Sequence, residues 1–409
     1  MTLSARDLAA LVARYAGRFH AAAGPDHHVG SPLGAWLLLA LCGPASTGAA
    51  RSQLTEVLGC DVGDAAAAAA GLLAAPHPLV ATAAAAWRRP GAVSAGLADW
   101  MAGLPGQVET GELPGQDVLD DWARRSSFGL IGKFPVSLSP GTLILLATVL
   151  AARVSWEYPF DVAAARELGP GSPWSSQLSR VLRSPAGPGH RQFIAATDQA
   201  GDVALHTAYA RGGLLVTSVA AQPGVPAADV LAAAYALACA IAVDGDVPVR
   251  SLFDLPAGSG SPWGIQEKQV QTTARKGREE RCTAVLPAWS ADSVHSLAED
   301  ASLGFPAAAA ALGALAGTGP AVLDAQQSAV ARYSRVGFEA AAVTAVAVAL
   351  SVPALRPGLL RTAQLRFGHP FAAVAVTAGE GRSGSAWHGL PVFSAWITQP
   401  EDEDEPASE

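Results

Sequence analysis

The first twenty residues place apolar side chains on one helical stripe, and charged residues interrupt every apolar run. The stripe consists of Leu3, Leu8, Leu11, Val12, Tyr15 and Phe19. This spacing predicts a helix over residues 3–23. A signal peptide would need an uninterrupted apolar segment and a small-residue cleavage site, which this stretch lacks. We therefore expect a cytoplasmic location.

Further helices are predicted where capping residues flank apolar runs. Ser31 is a candidate N-cap with Pro32 at the first helical position, and Gly59 closes a helix over 51–60. Helical patterns also cover 118–134 (a helix, then a turn), 227–242 and 290–301. Short runs rich in apolar and β-branched residues predict strands over 79–89, 142–161, 212–222, 281–289, 369–378 and 390–397.

The order of these elements is helices first, then strands and helices mixed, then a strand-rich end. This order is typical of an α+β fold with large antiparallel or mixed sheets, and it does not fit an alternating βαβ array. The alanine runs at 65–70 and 307–311 are interpreted as compositional bias only.

One segment, RVGFEAAAVTAVAVALSVPALRPGLLR at 335–361, begins like a strand and ends in Pro, Gly and arginines. In a strand, side chains alternate between two faces. One face is well suited to burial and would carry Phe338, Ala340, Ala342, Thr344, Val346, Val348 and Leu350. The opposite face is mostly small and would carry Glu339, Ala341, Val343, Ala345, Ala347 and Ala349. The apolar run is too short to cross a membrane before Pro353, and no membrane association is predicted.

Charge limits the classes of partner. The chain has 409 residues and a formal charge of −8, and six of its 35 acidic residues lie in the final EDEDEPASE, which leaves 29 against 27 basic residues elsewhere. We interpret 399–409 as an acidic disordered tail. A nucleic-acid surface needs clustered cations, and only ARKGREER at 274–281 approaches that, so no nucleic-acid partner is predicted and the run is interpreted as an exposed turn.

Catalytic and metal motifs are missing from the sequence. There is no HExxH, no Cys/His cluster at ligand spacing, no GxSxG and no phosphate or dinucleotide loop. His27 and His28 are interpreted as a polar loop, and the four scattered cysteines as unpaired thiols in a reducing, intracellular setting. We therefore predict no metal site, no cofactor and no catalytic residue, while enzymatic activity from dispersed residues stays open.

Seven short motifs follow one another along the chain, and they are SPLG at 31–34, RSQLTEVLG at 51–59, DDWARRSSFGLI at 120–131, LATVLAARVSWEYPFD at 146–161, LPAW at 286–289, GFEAAAVTAVAV at 337–348 and HPF at 369–371. In residues and in order they resemble motifs of the serpins, the family of suicide inhibitors of serine and cysteine peptidases. The composition would make this a divergent, Ala-rich, bacterial-type member.

The resemblance implies a serpin fold of three β-sheets, eight or nine helices and an exposed reactive-centre loop. It implies a single domain over 1–398 with the loop at about 337–362. In serpins a target peptidase cuts this loop, which then inserts as a new strand into the largest sheet. The hinge at the start of the loop would consist of Arg335, Gly337, Phe338, Glu339, Ala340, Ala341, Ala342 and Thr344. The family's spacing places the cut near Ser351–Val352, with Arg356 as a trypsin-like alternative.

Several hinge and shutter positions depart from the family. Phe338 stands where a small Thr or Ser is usual, and Arg335 where Glu is usual. The shutter, a hydrogen-bonded Ser, Asn and His in the family, corresponds here to Gly34, Thr148 and Gln327. Only Ser31 and, at the top of the sheet (the breach), Trp156 match the family's residues.

These departures leave more than one function open. The first is a bait for a serine-type peptidase, with small or apolar residues at the cut that suit an elastase-, subtilisin- or chymotrypsin-like enzyme. The second is a non-inhibitory serpin-fold protein that acts as a binding module, and the third is such a protein recruited as an enzyme in a biosynthetic pathway. The expected partner is a serine peptidase, and the oligomeric state is undetermined.

Overall fold

A computed structural model of the chain describes residues 3–91, 94–134, 142–152, 154–243, 247–317, 323–337, 355–378 and 385–403. These residues form eight α-helices, which are α1 Ala5–Ala23, α2 Pro32–Cys42, α3 Gly48–Leu58, α4 Val62–Ala74, α5 Ala95–Ala102, α6 Gln116–Ser126, α7 Ala227–Val243 and α8 Phe305–Ala316.

The first strands of the described chain are β1 His28–Gly30, β2 Val80–Arg88, β3 Val108–Glu112, β4 Ile144–Ala152, β5 Asp161–Ala164, β6 Arg180–Arg183, β7 His190–Thr197, β8 Gly201–Ala210 and β9 Leu214–Ala220. The later strands are β10 Gly258–Ser259, β11 Trp263–Thr272, β12 Arg278–Leu286, β13 Trp289–Ser296, β14 Leu323–Asp324, β15 Gln326–Tyr333, β16 Arg356–Arg366, β17 Phe371–Thr377 and β18 Pro391–Ile397.

The chain folds into two compact units, each assembled from separate stretches. The first comprises Met1–Arg153, Ala291–Ala331 and Ala375–Ala395, and the second comprises Val154–Ser290, Arg332–Val374 and Trp396–Glu409. Strands β13, β15, β17 and β18 belong partly to each. One domain over 1–398 stays a prediction.

The first unit contains every described helix except α7. Its sheet has the order β14–β4–β2–β3, with β2 antiparallel to β4 and parallel to β3. Helix α6 covers this sheet, because its apolar stripe meets side chains of β2 and β4. At the centre of this packing, the rings of Trp87 and Trp122 meet edge to face with centroids 5.3 Å apart. Strands β13 and β15 form a separate ladder.

The second unit is built on two larger sheets. One has the order β10–β11–β16–β12–β6–β5, and the other contains β7, β8 and β9 with β17 beside β9. Strand β16 lies between β11 and β12, antiparallel to the first and parallel to the second. The hairpin-like sequence β11–β12 is therefore split by a strand from much later in the chain.

Most predicted elements are present, and the exceptions have physical causes. The helix predicted over 290–301 is wrong, because β13 occupies this stretch and its side chains follow the period of two that pairing with β15 imposes. The alanine runs at 65–70 and 307–311 lie in helices α4 and α8, since alanine has the highest helix propensity. The strand predicted over 142–161 ends at Ala152.

Candidate functional site

The main sheet of the first unit is open between two neighbouring strands. β14 pairs with β4 in parallel at Leu323 and Asp324. Directly beyond this point the chain continues as β15, which forms a ladder with β13 but none with β4 among the described residues. We call the space between β4 and the 326–331 part of β15 the slot. Among the described residues, the backbone amide and carbonyl groups along its two edges have no ladder partner, which is the condition for accepting another strand.

The predicted shutter residues meet at this slot. Gln327 of β15 accepts from the Ser31 amide through Oε1 (2.7 Å) and donates to the Ser31 carbonyl through Nε2 (2.8 Å). Thr148 of β4 donates to the Gly34 carbonyl at 3.2 Å. The Ser31 hydroxyl caps α2 at the Gly34 amide and donates to the Val392 carbonyl. The start of α2 is thus hydrogen-bonded to both edges of the slot.

The three shutter positions that depart from the family, Gly34, Thr148 and Gln327, fit one another in this structure. A Cβ on Gly34 would lie 3.2–3.3 Å from Gln327 Nε2, Thr148 Oγ1 and Leu150 Cδ1, so the missing side chain leaves room for the longer amide. The three substituted positions form a different hydrogen-bond set that connects the same elements. The sequence marked these positions but gave no signal that they would compensate one another.

Two buried histidines lie beneath α2 and were not predicted as part of the site. His20 Nδ1 is 2.7 Å from His28 Nε2, His20 Nε2 is 2.7 Å from the Ser394 hydroxyl, and His28 Nδ1 is 2.8 Å from the Asp26 carbonyl. Because the Asp26 carbonyl can only accept, His28 Nδ1 carries a proton and neutral His28 accepts at Nε2 from His20 Nδ1. His20 Nε2 then accepts from the Ser394 hydroxyl. Burial lowers the pKa of His20 to about 3 and also lowers the pKa of His28.

His28 therefore corrects the interpretation of His27 and His28 as a polar loop, because it is buried in β1. His295 adds a third, half-buried ring, with Nε2 2.7 Å from the Val29 carbonyl. In the part of the chain that the structure describes, no group of three or more His, Cys, Asp or Glu side chains could hold a metal ion.

In the second unit, Trp156 organises the predicted breach. Its indole Nε1 donates to the Ser334 carbonyl at 2.9 Å, and its backbone amide donates to the Val336 carbonyl at 3.3 Å. The buried ring contacts Phe160 and Tyr333, with centroids 6.0 and 4.9 Å away. The 334–337 segment is therefore fixed to the chain just after β4.

Gly337 completes this attachment as a tight turn. Its φ of 78° lies in the left-handed region that favours glycine, and a Cβ there would be 2.2 Å from the Val154 carbonyl oxygen. The Ser334 hydroxyl donates to the Gly337 carbonyl at 2.9 Å. The glycine is required both by the backbone angle and by the close approach.

Arg335 stands where the family usually has Glu, and a carboxylate from elsewhere in the chain binds its backbone. Its Nε donates to the Phe160 carbonyl at 3.1 Å, and its backbone amide donates at 3.1 Å to Oε2 of Glu403 near the C-terminus. The Phe160 amide donates in return to the Arg335 carbonyl at 2.9 Å. An acidic group thus remains at the start of the hinge, but a distant part of the chain supplies it.

The residues before Glu403 hold the C-terminal segment against the same unit. The Asp402 carboxylate accepts from the amides of Ser179 and Arg180 at 2.7 and 2.8 Å. The Glu401 amide donates to the Ala288 carbonyl at 2.7 Å. Residues 401–403 of the segment predicted as a disordered tail are thus hydrogen-bonded to the fold, while residues 404–409 lie outside the described residues.

A second histidine pair, His190 and His206, packs against Phe160, which in turn contacts Trp156. His190 Nε2 donates to the Tyr158 carbonyl at 2.8 Å, and His190 Nδ1 accepts from His206 Nε2 at 3.0 Å. Burial lowers the pKa of both rings, and that of the fully buried His206 falls well below its usual value. His206 Nδ1 has no hydrogen-bond partner among the described residues.

Comparison with known proteins gives a match only at the level of structure. No protein-family model matches the sequence, and no curated protein matches it. Serpin48 from the insect Tenebrio molitor superposes with a TM-score of 0.61 at 15% identity, covering 97% of this chain and 99% of that chain.

Two further solved structures agree with this match. Human thyroxine-binding globulin complexed with thyroxine gives a TM-score of 0.63 at 12% identity over 97% of this chain and 100% of that one. An Arabidopsis serpin in its native stressed conformation gives 0.60 at 14% identity over 98% and 100%. The chain has the serpin fold.

The predicted α+β serpin fold is therefore confirmed. The described strands form four hydrogen-bonded sheets where three were predicted. The additional one arises because the slot separates the pair β13–β15 from β14–β4–β2–β3. Among the described residues no single helix is long and apolar enough to cross a membrane, although the bent pair Gly48–Leu58 and Val62–Ala74 together has the required length and composition.

The predicted reactive-centre loop of this serpin fold is only partly described. Its hinge residues from Phe338 to Thr344 and the predicted cut at Ser351–Val352 lie outside the described residues. Its far end is described, and β16 begins at Arg356, so the last residues of the predicted 337–362 loop belong to a strand. Arg356 is exposed, and its Nη1 donates to the Arg275 carbonyl at 3.3 Å.

Arg361 is held firmly inside β16. Its Nε donates to Glu267 at 2.8 Å, and its Nη1 donates to the carbonyls of Leu252 and Leu255. A peptidase that prefers basic residues would have to remove this side chain from the sheet before binding it.

Proposed function

We propose that this protein is a suicide-substrate inhibitor of a serine peptidase, with 338–354 as bait and the slot as the place where the cut loop inserts. The observation that carries this proposal is the slot, where two parallel strands are joined at only one end. A segment that follows β15 through a reversal would run antiparallel to both edges and could form a ladder with each.

The dimensions fit this mechanism. The free edges of the slot are residues 146–152 of β4, beyond the two residues that pair with β14, and residues 326–331 of β15. Each edge is therefore about 20–23 Å long at ~3.3 Å per residue. Residues 338–350 are long enough to fill that length. Half a dozen buried apolar side chains would contribute on the order of 10 kcal/mol, which is the driving force that insertion requires.

The chemical step is the ordinary first half of a serine-peptidase reaction. The peptidase's serine oxygen attacks the Ser351 carbonyl carbon, the Ser351–Val352 peptide bond breaks, and the new amine of Val352 takes up a proton. The product is an ester between the Ser351 carbonyl and the peptidase. Insertion of 338–350 into the slot would then drag the acylated peptidase with it before water hydrolyses the ester.

The test is incubation with a panel of subtilisin-, elastase- and chymotrypsin-like peptidases. We expect a covalent complex that resists detergent, cleavage within 345–356 by mass spectrometry, and a rise in melting temperature of the cut protein by tens of degrees. Cleavage without a complex and without a change in melting temperature would reject inhibition.

A second candidate, a non-inhibitory binding module, is favoured by one groove in the second unit. It has a volume of about 800 Å³ and lies between the β7–β8 turn and α7, where Arg250 Nε donates to Asp202 at 2.8 Å. A solved structure of this fold, thyroxine-binding globulin, is a complex with thyroxine. Saturable binding of a small molecule that Leu237→Trp abolishes would support this candidate. Removal of the loop should then leave this binding unchanged.

A further inference from the structure

A cluster of exposed basic residues lies beside the start of β16, where the predicted loop ends. The turn between β11 and β12 carries Arg275, Lys276 and Arg278, and β16 begins beside it with Arg356. We call these four residues the basic patch. All four side chains are exposed, in a protein whose formal charge is −8.

The patch is held rigidly against the end of the loop. The Leu359 amide donates to the Gly277 carbonyl at 2.8 Å, and Arg356 donates to the Arg275 carbonyl at 3.3 Å. A Cβ on Gly358 would be 2.5 Å from the Gly277 carbonyl oxygen, so only glycine permits the turn to lie this close to β16. Because β16 is paired on both edges, the backbone that carries these cations is fixed relative to the start of β16.

Carboxylates in this region are already used by other partners. Glu280 accepts from the Ser251 hydroxyl and the Leu252 amide, at 2.6 and 2.9 Å. Glu267 pairs with Arg361, and Glu279 with Arg281. Among the described residues, no carboxylate forms an ion pair with Arg275, Lys276 or Arg356, so their charge is available to a partner.

The distance to the predicted cut determines which partner that is. Three residues separate Val352 from Arg356, so Val352 is at most about 14 Å of extended chain, or four Cα–Cα steps, from the patch. A peptidase that closes its active site on Ser351–Val352 is far wider than this and must bring its surface over the patch. Complementary charge at such a contact accelerates encounter more than it strengthens binding.

We propose that the basic patch is a docking surface for an acidic face of the peptidase that cuts the loop. This inference rests on the proposed function and specifies its partner, which is a serine peptidase whose surface next to the active site is negatively charged. Four cations give too small a footprint for tight binding to a linear polyanion, which is the competing class of partner.

The test compares the full chain with Arg275→Gln/Lys276→Gln and with the control Arg125→Gln/Lys133→Gln, which removes the same charge from exposed sites at α6 and the turn after it. The readout is the second-order rate constant of loop cleavage by two peptidases of the panel, one with an acidic and one with a basic face. This rate is measurable whether cleavage ends in a complex or in a released product.

For the acidic peptidase at about 0.05 M salt, we expect the patch variant to be cut about 3- to 10-fold more slowly than the wild type, and the difference to fall below about 2-fold at 0.5 M salt. The control variant and the basic peptidase should show no such loss. Equal rates for both variants at low salt would overturn the docking surface, even if complexes form.

The other outcomes also separate the two proposals. Slower, salt-sensitive cleavage without a detergent-stable complex would support the docking surface and reject inhibition. Loss of binding to dextran sulfate or duplex DNA in the patch variant, with cleavage unchanged, would assign the patch to a polyanion and overturn this inference. If no peptidase of the panel cuts the loop, both proposals fail.

Discussion

Gly337 shows how a single residue fixes the start of the hinge. Its left-handed backbone and the 2.2 Å that would separate a Cβ from the Val154 carbonyl both require glycine. The sequence marks this glycine as a family position, but the contact that makes it necessary involves a residue far away in the chain. Residue identity was therefore predictable here, and its physical reason was not.

Replacing Gly337 by alanine should destabilise the fold through both strain and clash. The backbone strain alone costs about 1–2 kcal/mol, and the displaced Val154 carbonyl adds to it. Gly224→Ala is a matched control, because Gly224 also has a positive φ (94°) but nothing lies within 4 Å of its Cβ position. In urea melts we expect Gly337→Ala to lose more stability than Gly224→Ala, and equal losses would contradict the contact.

Asp402 allows a similar test at the C-terminal segment. Asp402→Ala removes two amide hydrogen bonds to a carboxylate, and the side chain is exposed, so we expect a loss of about 1–2 kcal/mol. Asp404→Ala changes the charge equally and serves as the control. Thermal melts that do not distinguish the two variants would show that residues 401–403 do not hold the hinge.

At the scale of elements, hydrogen bonds connect the start of α2 to both strands that border the slot. Gln327 on β15 and Thr148 on β4 both reach the first turn of α2. The resemblance to the serpins grouped these residues as a shutter, which stays a prediction, while apolar runs correctly predicted most strands. Sequence reasoning failed for β13, because its period-two pattern was not distinguished from a helical one, and for the compensating role of Gln327, because that depends on side-chain length across three elements.

Gln327→Ala should destabilise the first unit, because it leaves the buried Ser31 amide without its partner and removes one of the two hydrogen bonds to the Ser31 carbonyl, which keeps the bond from the Ala35 amide. A loss of about 1–3 kcal/mol is expected for such groups. Gln326→Ala, the preceding residue on the opposite face of the strand, is the matched control and should change stability by less than about 0.5 kcal/mol. The measurement is urea unfolding of both variants. A control as unstable as the variant would mean that the effect arises from β15 in general.

At the scale of the whole molecule, histidines with a lowered pKa occur in both units. The buried His20 and His28 and the half-buried His295 lie in the first unit, and the buried His190 and His206 lie in the second. Partial or complete removal from water lowers the pKa of each ring. Composition gave only the number of histidines. Their burial could not be predicted, because each pair is formed by residues on different elements, as with His20 on α1 and His28 on β1.

This distribution predicts destabilisation by acid. Below about pH 6.5 the unfolded chain binds protons that the folded chain does not, so the free energy of unfolding falls as the pH falls. For His20, whose pKa is lowered to about 3, the loss at pH 4.5 is about 2–3 kcal/mol. In urea melts from pH 7.5 to 4.5, His20→Gln should flatten this dependence and His27→Gln should not. A wild-type stability that stays constant over this range would contradict the assignment.

The central claim is that the slot between β4 and β15 accepts the loop. Its most direct test is amide hydrogen exchange of β4 and β15 in the intact protein and after cleavage between Gly337 and Arg356. We predict that exchange along both strands slows by at least about tenfold once the loop is cut, because each edge gains a ladder partner. Unchanged exchange in both strands after complete cleavage would contradict insertion.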